Sequence, residues 1–168
     1  SNISNDASNL ERINRWQSAI RMFKEKPILG WGPGTYQFKY APYQLSKEKT
    51  IISTNSGDMG NAHSEYIGPL AEMGLLGLLS VISVILVVTY TAVKVYKRSR
   101  DREVKFFIIV SIISLATYFV HGFLNNFLDT DKASVPFWGF IALIVILDVT
   151  SAKKEKEFVL EDKLNKKQ

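Results

Sequence analysis

Two histidines and a small set of arginines and carboxylates hold most of the catalytic potential of this 168-residue chain. His63 lies shortly before a long apolar run that opens near Met73. A neutral imidazole near pH 7 can take a proton from a hydroxyl nucleophile. The alternative is that His63, with Ser64, caps a helix starting there. Arg12 and Arg15 stand three residues apart and share a helix face. Guanidinium groups hold phosphates through paired hydrogen bonds and stay charged. The alternative for them is a solvated face with a Glu11–Arg15 pair, contributing about 0.2–0.5 kcal/mol. His121 falls inside an apolar stretch, where an ionisable group suggests function. With Asn125 and Asn126 beside it, a polar contact between helices is the other reading. Glu72, ahead of the first apolar run, is expected to cap or to pair with an arginine.

Several familiar sites are missing from the sequence. It has no Gly-rich phosphate loop with its Lys and Ser/Thr, no His-Glu-x-x-His and no cysteine. Chemistry without metal or cofactor is the expectation. The absence of cysteine excludes disulfides and leaves the compartment open.

The elements that position these residues emerge from hydropathy. Hydrophobic content is 46% and mean hydropathy +0.03, values close to those of a soluble protein. The average hides a strong segregation of polar and apolar residues. Three stretches read as membrane spans, at about 73–93, 106–128 and 133–150. The first carries no charge between Glu72 and Lys94, the second is broken only by His121, and the third has Asp148 near its end. A bilayer core of roughly 30 Å requires ~20 apolar residues in a helix. Buried helices of soluble proteins keep a polar stripe, which the run from Leu75 to Val88 lacks.

Charge sets the orientation. Lys94, Lys97, Arg98, Arg100, Arg102 and Lys105 lie between the first two spans, and six lysines follow Thr150. Between the second and third spans Lys132 is the one basic residue. The bias toward positive residues inside puts the first loop and the tail in the cytoplasm and residues 1–70 on the outer face. The net charge of +5 flanks apolar runs instead of forming one basic face, which argues against nucleic acid. The fold expected is all-α, a polytopic membrane protein fragment. It has an extracytoplasmic amphipathic helix and loop (1–70), three transmembrane helices (71–150) and a charged tail (151–168) forming a short helix or disorder.

In the outer segment, Ser8-Asn9-Leu10-Glu11 fits a capping box. Leu10, Ile13 and Ile20 follow helical spacing and make a one-sided apolar face, with the two arginines directed away from it. Pro27 ends this helix near Glu25 or Lys26. A turn-rich loop from Pro27 to Gly34, an aromatic stretch from Thr35 to Tyr43 and a flexible polar loop from Ser46 to Gly60 follow.

The stretch from Ala62 to Gly77 resembles the family of O-antigen ligases and O-antigen polymerases. Their motif is His, then Asn, Ser or Gln, nine residues, Gly, two residues, and Gly, Thr or Tyr. Here it is met by His63, Ser64, Gly74 and Gly77. Upstream, Arg12 to Trp16 and Pro27-Ile28-Leu29-Gly30-Trp31-Gly32-Pro33-Gly34 are similar to the family's Arg-x-x-x-Trp helix and Pro-Leu-Gly-x-Gly-x-Gly loop. The resemblance implies a metal-independent, inverting glycosyltransferase outside the bacterial cytoplasmic (inner) membrane. Its donor would be a glycan on undecaprenyl diphosphate, and its acceptor a sugar hydroxyl of another glycan or of lipid A core. His63 would be the general base and Arg12 would neutralise the diphosphate leaving group. Arg15 has no counterpart in the motif and remains a second candidate for the diphosphate. The family has around ten or more spans, so this chain, which starts without methionine, is expected to be a C-terminal piece, inactive alone. A non-enzymatic transporter or flippase component that binds the same lipid would need the arginines but not His63.

Overall fold

A computed structural model describes residues 7–55 and 60–165, with the side chains of 158–163 excepted. Every regular element among them is helical. Helix α1 is Ala7–Glu25, α2 is Tyr36–Lys39, α3 is Ile67–Arg98, α4 is Arg102–His121 and α5 is Asp131–Asn165, with single 3-10 turns between. Three of these (α3, α4 and the Asp131–Glu157 part of α5) are long and apolar enough to cross a membrane. Only 22%, 17% and 11% of their most apolar windows is buried within the chain, so their apolar surface is left for lipid or other spans. The chain divides into two compact units, one of residues 1–83 and 120–128, the other of 84–119 and 129–168.

The first unit is organised around α1, and its buried face is the one that carries Arg15, away from Leu10 and Ile13. The buried residues are Glu11, Asn14, Arg15, Ser18, Ala19 and Met22, while Leu10 and Ile13 are 40% and 51% exposed. Spacings of three and four put the buried set on one stripe, which is mainly polar. Buried polar groups must find partners, and the supposedly flexible loop supplies them. Asn14 donates to Gln44 at 2.8 Å, Arg15 to Thr54 at 2.7 Å, and Glu11 accepts from Thr50 at 2.9 Å and from Ser53. Arg21 adds bonds to the Tyr43 carbonyl at 2.8 Å and to Glu48 at 2.7 Å. Residues 44–54 are thereby tied to α1, whereas 56–59 lie outside the described residues.

The small apolar core of this unit gathers Ala19, Met22, Tyr36, Tyr40, Ala62 and Ala71, with Trp31, Tyr43 and Ile67 against it. Tyr36 and Tyr40 stack at 5.3 Å. Pro27 ends α1 after Glu25, as expected. The capping box does not form as read: Ser8 is already inside α1, and the Glu11 carboxylate is taken by Arg15, Thr50 and Ser53.

In the second unit, Arg98 of α3 binds Asp148 of α5 at 2.8 Å and the Ser151 hydroxyl at 2.6 Å. Phe137 of α5 packs edge-on against Tyr118 and Phe119 of α4. Helix α4 ends at His121, so residues 122–128, read as the end of the second span, form a turn and the start of a 3-10 helix. Helix α5 continues without a break from the third apolar stretch into the charged tail as far as Asn165.

Candidate functional site

His63 sits between two buried neighbours, Ala62 and Ser64, in the segment that leads into α3. Its backbone has φ of 48°, the one left-handed non-glycine residue among those described. That region costs an L-residue roughly 1–2 kcal/mol, and such conformations gather at functional sites. Local bonds hold it there. The His63 N–H donates to the Asn61 side chain at 3.1 Å, and Ser64 Oγ accepts from the Tyr66 and Ile67 amides at 3.3 Å each. Ser64 therefore caps α3, and the His63 imidazole is left free of that duty.

The ring is half-buried and makes no hydrogen bond among the described residues. Its pKa is held below the usual 6.5, first by burial and then by the positive charges of Arg15 and Arg12, with Glu11 acting weakly the other way. Both penalties fall on the imidazolium, so the neutral form is favoured. A neutral imidazole with a free nitrogen is what a general base requires.

The two arginines share this electrostatic neighbourhood but not one role. Arg15 is 2% exposed, donates to Glu11 at 2.6 Å and lies with its guanidinium 4.2 Å from the Tyr40 ring centroid. It is a fixture of the core instead of a residue of a solvated face, although its Nη1 has no partner among the described residues. Burial pushes the Glu11 carboxyl up, but hydrogen bonds from Ser53, Arg15 and Thr50 outweigh it and hold the group below the usual 4.5. Arg12 is half-buried and forms no ion pair or hydrogen bond among the described residues. Its five N–H donors remain available to an anion.

Glycines and one carboxylate join the Pro27–Gly34 loop to α3. Gly74 interrupts α3 with φ of 65° and ψ of −155°. A Cβ on Gly74 would stand 2.4 Å from the Ile28 carbonyl oxygen, and one on Gly30 would stand 2.4 Å from the Glu72 carbonyl. The gap in the helix is closed from the loop: Leu75 N–H donates to the Pro27 carbonyl at 2.8 Å and Gly32 N–H to the Glu72 carbonyl at 2.7 Å. The Glu72 carboxylate accepts from the Gly34 and Tyr36 amides at 2.8 and 2.9 Å, capping α2 instead of pairing with an arginine.

One support was invisible in the sequence. The turn after α4 grips the segment following His63: Glu65 N–H donates to the Gly122 carbonyl at 2.8 Å, and Glu65 Oε1 accepts from Leu128 N–H at 2.8 Å. Tyr66 stacks on Phe123 at 4.3 Å. No local pattern links residues so far apart along the chain. His121 is the exposed last residue of α4, its ring 6.1 Å from that of Phe127. Asp129 and Asp131 form an Asp-x-Asp pair. Among the described residues no three His, Cys, Asp or Glu groups gather around a possible metal position.

Residues 2–82 match the family model described as O-antigen ligase. This segment belongs to the O-antigen ligase family. The ligase segment holds Arg12, Arg15, the glycine loop, His63 and the Gly74 kink, so the match covers every part of the candidate site except the turn after α4. No curated protein and no solved structure matches the chain.

Proposed function

We propose that this O-antigen ligase segment takes part in glycosyl transfer from undecaprenyl diphosphate to a sugar hydroxyl, at the outer face of the bacterial inner membrane. The acceptor is lipid A core or a growing glycan. His63 takes the proton of the acceptor hydroxyl as its oxygen bonds to the anomeric carbon of the donor. The bond from that carbon to the diphosphate breaks on the opposite side, so the configuration inverts and the lipid diphosphate departs. Arg12 meets the charge that develops on the leaving group. Arg15 contributes its positive field and an Nη1 without a partner among the described residues, while mainly holding α1 against residues 44–54. No metal is assigned, because the two guanidinium groups already supply cationic charge.

What supports this reading is His63, left-handed and with its neutral form favoured by burial and by Arg15 and Arg12, together with Arg12, which has no partner among the described residues, both within the ligase segment. The test uses the full-length protein in cells lacking the native gene, with surface polysaccharide resolved by length on a gel. His63→Ala and Arg12→Ala are each expected to lose long or lipid-attached glycan at normal protein level. Normal glycan with His63→Ala would overturn the catalytic role and point to carriage of the lipid-linked glycan without transfer.

A further inference from the structure

The interlock between the glycine loop and α3 fixes more than the site. It sets the height of the loop along a membrane helix. Leu75 N–H is bonded to the Pro27 carbonyl, and the Ile28 backbone lies against Gly74. From Leu75 onward α3 is apolar without a charge until Lys94, and Leu75, Leu76 and Leu79 are 48%, 54% and 46% exposed. The loop is therefore bonded to the outer end of the lipid-facing run itself. At its tip, Ile28 and Leu29 are 67% and 72% exposed.

Two apolar side chains left uncovered in water would cost about 1.5–3 kcal/mol each relative to burial. Their neighbours carry the marks of a membrane interface. Trp31 keeps its ring partly buried and donates its indole N–H to the Met22 carbonyl at 3.1 Å, and the Lys26 ammonium lies 3.9 Å from the Trp31 ring centroid. A tryptophan with a lysine over its face, one turn from an apolar tip, is the arrangement that anchors chains at headgroup level. On either side of the tip the backbone is bonded, Gly30 N–H to the Lys26 carbonyl at 3.1 Å and the Pro27 carbonyl to Leu75.

We propose that Ile28 and Leu29 are a membrane anchor, inserted among the acyl chains of the outer leaflet beside the start of α3, with Lys26 and Trp31 at the headgroups. The occupant of this surface is lipid. The proposal rests on α3 being a membrane span and is independent of the catalytic reading. Its consequence is that α1 and the His63 segment, which share a core with Trp31 through Met22 and Ala62, are held close to the level of lipid phosphates.

The chain has no cysteine, so single-cysteine variants give one label each. The chain, reconstituted in phosphatidylcholine–phosphatidylglycerol vesicles, is labelled with an environment-sensitive fluorophore in L29C, in I28C and in the exposed control K47C. Quenching is read with lipids carrying a doxyl group high on the acyl chain and with aqueous iodide. The L29C and I28C labels are expected to be quenched several-fold more by doxyl lipid than the K47C label, and less by iodide. Iodide quenching equal to that of K47C would overturn the proposal. Shielding from both quenchers would overturn it too, since a protein segment would then cover the tip.

Discussion

Gly30 and Gly74 each occupy the space where the other segment's backbone would meet a side chain. A methyl on either would lie 2.4 Å from main-chain atoms of Glu72 or Ile28, and both residues have φ of 65°. Each Gly→Ala change therefore meets a left-handed backbone penalty of about 1–2 kcal/mol together with a main-chain clash that no rotamer can relieve. Gly30→Ala and Gly74→Ala are both expected to lower the thermal midpoint in detergent by several degrees and to separate the loop from α3. Gly34, with φ of 70° but open space around it, is the control: its alanine variant meets the backbone penalty alone. Equal losses at all three positions would refute the interlock.

The three long apolar helices were legible because crossing a bilayer demands ~20 apolar residues in a helix, and α3, α4 and the first part of α5 carry that pattern in one dimension. The end of α1 was legible from Pro27 alone. The partners of its buried stripe were not. The periodicity of Leu10, Ile13 and Ile20 marks one apolar face, of which Leu10 and Ile13 are exposed. Here the inner stripe holds Glu11, Asn14 and Arg15, which bond to a loop some thirty to forty residues away. Such pairings have no signature in local spacing. His63 stands out in the sequence as a candidate through its spacing from Gly74 and Gly77 in the motif it resembles. Its left-handed backbone was not legible, because the Asn61 and Ser64 bonds that surround it are also common in ordinary turns.

Arg12 and Arg15 should separate cleanly on substitution. Arg15→Met leaves the buried Glu11 carboxylate without its ion pair, a loss of about 3–5 kcal/mol for an uncompensated buried charge. Arg12→Ala removes a group without a partner among the described residues and should change stability by only about 0.5 kcal/mol. Its effect belongs to the reaction: loss of a charge-assisted contact of about 1.5–3 kcal/mol predicts a rate roughly 10- to 100-fold lower. Thermal unfolding and glycan transfer by the full-length protein, measured on the same variants, check both halves. An Arg12→Ala protein that unfolds early and transfers normally would reverse the assignment.

His63 is the position where strain and chemistry can be told apart. With φ of 48°, alanine there keeps the backbone penalty that glycine escapes. His63→Gly is expected to be about 1 kcal/mol more stable than His63→Ala, yet both should lose activity by about 10²–10⁴-fold, as for a missing general base. Glycan transfer that follows stability instead, with His63→Gly outperforming His63→Ala, would show that the imidazole only shapes the turn.

The charges around His63 make a directional prediction about pH. Burial, then Arg15 and Arg12, oppose protonation, so the folded-state pKa lies below 6.5. A base with that pKa stays competent as pH falls through 6.5 and loses activity only on reaching the lower value. The same depression means that protonation opposes folding: stability contributed by the neutral ring is present above pH 6.5 and is lost as pH falls toward the folded pKa. Arg12→Gln removes one of the opposing charges while keeping a polar side chain of similar reach. The His63 pKa should then rise toward 6.5, and the acid limb of transfer activity should move to higher pH by the same amount. Titration of the His63 ring by NMR in the Arg12→Gln protein reads the first shift, and the pH profile of relative transfer rate reads the second. A ring pKa that moves while the activity limb stays in place would assign the limb to another group and remove His63 from the proton transfer.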